Sequence, residues 1–74
     1  MNAMYLITRR GDTEVGWEPS DPKSVARARR AFERYRESHA LAFAVSAPGD
    51  EPISISEFDE NASEIILTRP LVGG

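Results

Sequence analysis

Toward its end the chain runs Glu64, Ile65, Ile66, Leu67, Thr68, with three bulky aliphatic residues in succession and no polar alternation. Neighbouring strand residues point to opposite faces, so a strand of this composition is apolar on both and belongs in the middle of a sheet. The remainder of the chain must therefore supply it with a neighbour on each side. In 74 residues there is room for one sheet and one helix, because a domain this small buries only about 60% of its unfolded surface. There is no cysteine and His39 is the only histidine. Neither a disulfide nor a cysteine zinc site can supplement the core, and any thiol chemistry must come from a partner.

Upstream, Met4 to Arg9 forms a short strand with Met4, Leu6 and Thr8 on one face and Tyr5 and Ile7 on the other. Arg10, Gly11, Asp12 and Thr13 carry turn chemistry, and Glu14 to Glu18 returns as a second strand with Val15 and Trp17 on one face, giving a β-hairpin. Trp17 is expected to be exposed on this hairpin and available to a partner. Pro19 and Pro22 bracket Ser20 and Asp21; Asp21 suits the N-cap and Pro22 the first helical position. Val25, Ala28, Phe32 and Tyr35 then recur at helical spacing with Ala31 alongside, which predicts one buried stripe.

The opposite helical face collects Lys23, Arg27, Arg30 and Arg34, flanked by Arg29 and Arg36, with Glu33 and Glu37 placed to pair with arginines three or four positions away. Arg27, Arg30 and Arg34 are candidates for a docking surface toward an acidic partner. Nucleic acid is not expected, since the chain has a net charge of −3 and no aromatics alternate with the arginines. His39 is expected to continue the apolar stripe and pack at the helix end. Ala40 to Ser46 alternates Leu41, Phe43 and Val45 with alanines and is read as a strand under the helix. After the turn residues Ala47 to Pro52, Ile53, Ser54, Ile55 and Ser56 alternate strictly, the pattern of a half-exposed strand. Glu57 and Phe58 break the phase, folding Phe58 back toward the core. Asp59 to Ser63 is a polar connector whose carboxylates are read as solvated, with no metal site expected.

The longest apolar run, Ala40 to Val45, is too short to cross a bilayer, and the N-terminal charges follow the apolar residues, opposite to a secretory signal. A cytoplasmic protein with no membrane partner is expected. Lys23 to Glu37 holds six basic and two acidic residues, leaving three basic and ten acidic elsewhere; the surface is polarised. Finally Pro70 ends strand pairing, and Leu71, Val72, Gly73 and Gly74 follow. Two glycines at one chosen place have a chance frequency on the order of 0.5%, so the tail calls for an explanation. The chain divides into a domain over residues 1–69 and a flexible tail over residues 70–74.

The order hairpin, helix, strand, strand, central strand, with Pro70 to Gly74 behind it, resembles the β-grasp family of ubiquitin-like proteins. It implies an α+β fold in which an N-terminal hairpin and one helix on a mixed sheet of four or five strands bring the last strand beside the first. The tail looks most like that of the small molybdopterin synthase subunit and related sulfur carriers, and less like the leucine and arginine alternation before ubiquitin's diglycine, which only Arg69 and Leu71 echo. What the resemblance implies is a substrate rather than an enzyme. An E1-like adenylating partner using ATP and Mg²⁺ would activate the Gly74 carboxylate, with no cofactor bound by this chain. Gly73 would give clearance in a narrow channel, Pro70 a stiff exit, and Leu71, Val72 and Arg69 the grip. With nothing after Gly74, no protease would be needed to expose it. The activated carboxylate would pass to a thiol and then to an amine of a target protein, with an E2-like enzyme or deconjugating protease as further partners. A sulfur carrier ending in a thiocarboxylate is the alternative, and a non-catalytic interaction subunit with an incidental diglycine is another.

Overall fold

A computed structural model describes residues 2–8 and 11–68. Its elements are β1 (Asn2–Thr8), β2 (Gly11–Trp17), α1 (Pro22–Glu37), β3 (Leu41–Val45), β4 (Ile53–Ser54) and β5 (Glu64–Thr68). One sheet contains all five strands in the order β2-β1-β5-β3-β4. The chain is thus α+β, with a single helix on a mixed sheet. β5 lies at its centre, parallel to β1 and antiparallel to β3, where its three aliphatics had placed it.

The hairpin pairs Asn2 with Trp17 and ends with Thr8 opposite Gly11. Gly11, Asp12 and Thr13 belong to the ladder, which corrects the turn expected there. They face Thr8, Ile7 and Leu6, which gives Gly11 and Thr13 backbone partners, and only Arg9 and Arg10, outside the described residues, separate the strands. β4 is also shorter than its alternation suggests. The chain bends at Ser56 and Glu57, after the Ile55 amide has bonded to the Ala42 carbonyl at 3.0 Å, and the bend brings Phe58 against the core.

The helix begins as its residues dictate. Asp21 is the N-cap, its side chain accepting from the Lys23 amide at 3.2 Å, and Pro22 opens the first turn. Val25, Ala28 and Phe32 are buried, with Ala31 and Tyr35 half-buried beside them. They join Met4, Leu6, Trp17, Ile65 and Leu67 in one core. On β3 the alanines face this core while Leu41 is exposed and Phe43 half-buried. Small residues there leave room for Phe32, Ile55 and Phe58, the size alternation that lets two layers interdigitate.

The helix ends differently from expectation. His39 is exposed, and its φ of 67° lies in the left-handed region. The His39 amide donates to the Arg36 carbonyl at 3.0 Å and the Ala40 amide to the Tyr35 carbonyl at 3.1 Å, the paired bonds of a Schellman closure. The residue that must turn left-handed cannot continue the buried stripe; Ala40, next in line, is the one buried. Glycine is the residue best suited to that conformation. His39→Gly is therefore expected to stabilise the domain by about 0.5–1 kcal/mol, a Tm rise of several degrees for a domain this size, measurable by thermal unfolding. An unchanged or lower Tm would show that His39 makes a contact worth more than the backbone gain.

Candidate functional site

β5 places Thr68, the last described residue, at the middle of the sheet. Arg69, Pro70, Leu71, Val72, Gly73 and Gly74, the residues on which the sequence argument for activation and recognition rests, lie outside the described residues. What the structure does give is the surface around Thr68. Thr68, the last residue of β5, has Ile7 of β1 on one side and Leu41 of β3 on the other. Each lies about 4.8 Å away in the pairing direction. Ile7 is 46% and Leu41 49% exposed, two of the three large hydrophobic residues most open to solvent among the described ones. A second row one pleat away runs Glu14, Tyr5, Ile66, Phe43, Ser54 across the five strands.

These rows form the sheet face opposite the helix. In β5 the inner residues Ile65 and Leu67 are fully buried and Ile66 is only half-buried. The run that is apolar on both faces therefore serves a core on one side and an apolar patch on the other. The exposure of Ile7 and Leu41 is not expected from the sequence. The signal was present in the first strand, where Ile7 shares a face with Tyr5, but alternation alone does not say whether the alanine side or the bulky side of β3 turns inward.

The helix back is as the charge pattern predicts. Lys23, Arg27, Arg30 and Arg34 are all exposed, spaced along one side of α1 over roughly 16 Å. Two flanking arginines have specific partners. The Arg36 guanidinium donates to the Ala40 carbonyl at 2.8 Å, and the Arg29 guanidinium lies 5.8 Å over the Phe58 ring.

Trp17 is a correction. It is 1% exposed, so it cannot serve as partner surface. Its indole N–H donates to the Glu60 carbonyl at 2.9 Å, and its ring meets Phe58 edge-on with centroids 5.0 Å apart. Phe58 in turn meets Phe32 at 5.8 Å. A large ring whose one polar atom finds a backbone acceptor is more stable inside than out. The polar connector supplies that acceptor, which composition could not reveal. The same segment receives two bonds from the Asn2 side-chain Nδ2, to the Glu60 carbonyl at 3.2 Å and the Ala62 carbonyl at 2.7 Å, and it buries Ala62. It acts as a clasp between the chain's first strand and its last.

Beside this aromatic cluster, one flank of α1 and residues Ser56 to Phe58 enclose an open cleft of about 520 Å³, lined by Arg29, Phe32, Glu33, Arg36, Glu37, Ser56, Glu57 and Phe58. Its side chains are two guanidiniums, three carboxylates, one hydroxyl and two aromatic rings. Among the described residues no group of three or more histidine, cysteine, aspartate or glutamate side chains is arranged to hold a metal ion. No helix among them is long and apolar enough to cross a membrane. Family models, curated proteins and solved structures were compared with the chain and none matched.

Proposed function

We propose that this chain is a β-grasp, ubiquitin-like protein modifier whose Gly74 carboxylate is activated by an adenylating enzyme and transferred to an amine. The observation that carries the proposal is the sheet order, with the last strand central and parallel to the first. Thr68, the last described residue, thereby lies between two exposed hydrophobic residues rather than at a sheet edge. A partner that grips the tail meets Ile7 and Leu41 at once, and apolar area is the main source of binding energy in such a contact.

The chemistry follows from the carboxylate. A carboxylate oxygen attacks the α-phosphorus of ATP, the bond to the β-phosphate breaks, and pyrophosphate leaves with Mg²⁺ neutralising its charge. The resulting acyl-adenylate is attacked at its carbonyl carbon by a partner's thiolate, releasing AMP. An amine of the target then displaces the thiolate, losing its proton as the amide forms. This chain contributes the carboxylate of Gly74, the absence of a Cβ at Gly73 that permits close approach, and the fixed φ of Pro70. Leu71, Val72 and Arg69 provide the grip.

The sulfur-carrier alternative shares the first step and differs in the nucleophile, a sulfur donor leaving a terminal thiocarboxylate. The Pro70 to Gly74 segment favours it. The charged helix back and the apolar patch beside Thr68 favour protein conjugation, because a carrier needs chiefly its tail. Burial of Trp17 removes one reason for that preference, and Ile7 with Leu41 replaces it. Tryptic mass spectrometry of cells separates the two. Trypsin leaves the Arg69–Pro70 bond uncut and the next site upstream is Arg36, so the expected remnant on target lysines is residues 37–74 of this chain, whereas sulfur in place of a terminal oxygen on this chain, with no remnants, would overturn conjugation.

A further expected result concerns the patch. Ile7→Ser with Leu41→Ser removes exposed side chains, so stability should change by no more than about 0.5 kcal/mol per site. Activation by the adenylating partner should weaken by roughly tenfold or more, an apolar anchor being worth over 1 kcal/mol. Pyrophosphate release at limiting concentrations of the chain measures this, and an unchanged rate would free the patch of any part in activation.

A further inference from the structure

The two edges of the sheet are unequal. β4 has two residues and β2 seven, and among the described residues β2 is joined to β1 alone. Which of its backbone groups remain open follows from β1. The Ala3 amide donates toward the β5 side, to the Ser63 carbonyl. Alternate residues of a strand address opposite neighbours, so Ala3, Tyr5 and Ile7 face β5 while Asn2, Met4, Leu6 and Thr8 face β2. The latter pair with Trp17, Val15, Thr13 and Gly11. That leaves Asp12, Glu14 and Gly16 with their N–H and C=O groups directed away from the sheet, three donors and three acceptors along about 14 Å of strand.

An open edge of this length is a template for another strand unless something blunts it. Here the strand carries Glu14, with Glu18 just beyond it, both exposed, so the blunting is of one sign. A second copy is a poor occupant. Pairing two β2 edges antiparallel about their centre sets Glu14 opposite Glu14, and like charges directly opposite are destabilising. A cationic segment meets no such opposition. Gly16, exposed and without a side chain, leaves the backbone at its end of the edge open to approach.

We propose that the β2 edge binds an extended segment of a partner protein by strand addition, and that the segment carries lysine or arginine at alternate positions facing Glu14. Main-chain bonds to Asp12, Glu14 and Gly16 supply the affinity, and the charge pattern selects the segment. The inference does not depend on the fate of Gly74.

Titrating the isotope-labelled full chain with the capped peptide Lys-Val-Lys-Val-Lys, followed by amide NMR, tests it. The Asp12, Glu14 and Gly16 amides should shift and gain exchange protection, with Thr13 and Val15 little changed. The corresponding Glu-Val-Glu-Val-Glu peptide should bind at least tenfold more weakly, and added salt should weaken the lysine peptide. Glu14→Lys should cost at least tenfold in affinity for it. Gly16→Pro, which removes an outward N–H and leaves the bonds to β1 in place, should do the same. Should Gly16→Pro fail to fold, Glu14→Lys with an unchanged far-ultraviolet spectrum is sufficient. Equal binding of both peptides, shifts confined to the helix, or no shift at about 1 mM peptide would overturn the proposal. So would the same three amides shifting with protein concentration alone, which would make the occupant a second copy.

Discussion

Deleting Gly73 and Gly74 is expected to abolish activation outright while leaving the fold intact. The described residues end at Thr68, and β5 is held by β1, β3 and the bonds of Asn2 and Ser63, none of which involves the diglycine. The truncated chain should therefore unfold within about 0.5 kcal/mol of the parent. It would end on Val72, whose β-branched side chain sits where the proposal requires backbone free of any Cβ. Adenylation measured by pyrophosphate release should fall to background, a loss of at least a thousandfold, or about 4 kcal/mol of transition-state stabilisation. Restoring glycine at both positions should restore activity, whereas Gly73→Ala alone should show an intermediate loss. If the truncated chain retains its partners and its cellular role, the third alternative, an interaction subunit with an incidental diglycine, is the better account.

Trp17→Ala is the second large effect, and it falls on stability. Truncating a buried aromatic residue costs about 3–5 kcal/mol. Stability of roughly 0.05–0.15 kcal/mol per residue gives a domain this size on the order of 4–11 kcal/mol in total. The variant should lose 15 °C or more in Tm and at the low end should be largely unfolded at 37 °C. Two structural consequences add to the cavity. Phe58 loses an edge-to-face partner at 5.0 Å, and the Glu60 carbonyl loses its indole donor. Trp17→Phe keeps the ring mass and gives up the N–H bond, so about 1–2 kcal/mol is expected. A surface tryptophan would change stability by only about 0.5 kcal/mol in either substitution; urea unfolding of the two variants tells these situations apart.

Trp17 also shows where sequence reasoning stopped. Its position on the second strand, in phase with Val15, was legible, and both do turn toward the core. What could not be read was that residues 59–62, polar in composition, would bring a carbonyl to the indole and close over it. The centrality of β5 was legible because three aliphatics in succession suit no edge. The helix was legible from Asp21, Pro22 and the spacing of Val25, Ala28 and Phe32, since both capping and periodicity are local. Its other end was not. A left-handed residue at a helix terminus usually announces itself as glycine, and here His39 occupies the position. Nor did alternation in β3 reveal that the alanines turn inward, and with that the exposure of Leu41 was hidden. The exposed apolar patch beside Thr68 emerges only when β1, β5 and β3 are set side by side, a non-local fact.

The helix back and the open sheet face give the molecule two unlike surfaces, one basic and polar, the other apolar with Glu14 and Glu64 on it. The same enzyme need not meet both. In the proposed function the face beside Thr68 belongs to the partner that takes the tail, and Arg27, Arg30 and Arg34 remain available to an acidic partner on the opposite side.

The central claim, that the Gly74 carboxylate is chemically consumed, is tested most directly by following the chain's C-terminal peptide by mass spectrometry. The full chain is incubated in extract of its native cells with Mg²⁺, with and without ATP. In the presence of ATP the peptide should be recovered joined through Gly74 to a target amine, with its free form depleted to match. Recovery of the peptide only as the free carboxylate, in equal amounts with and without ATP, would contradict the account.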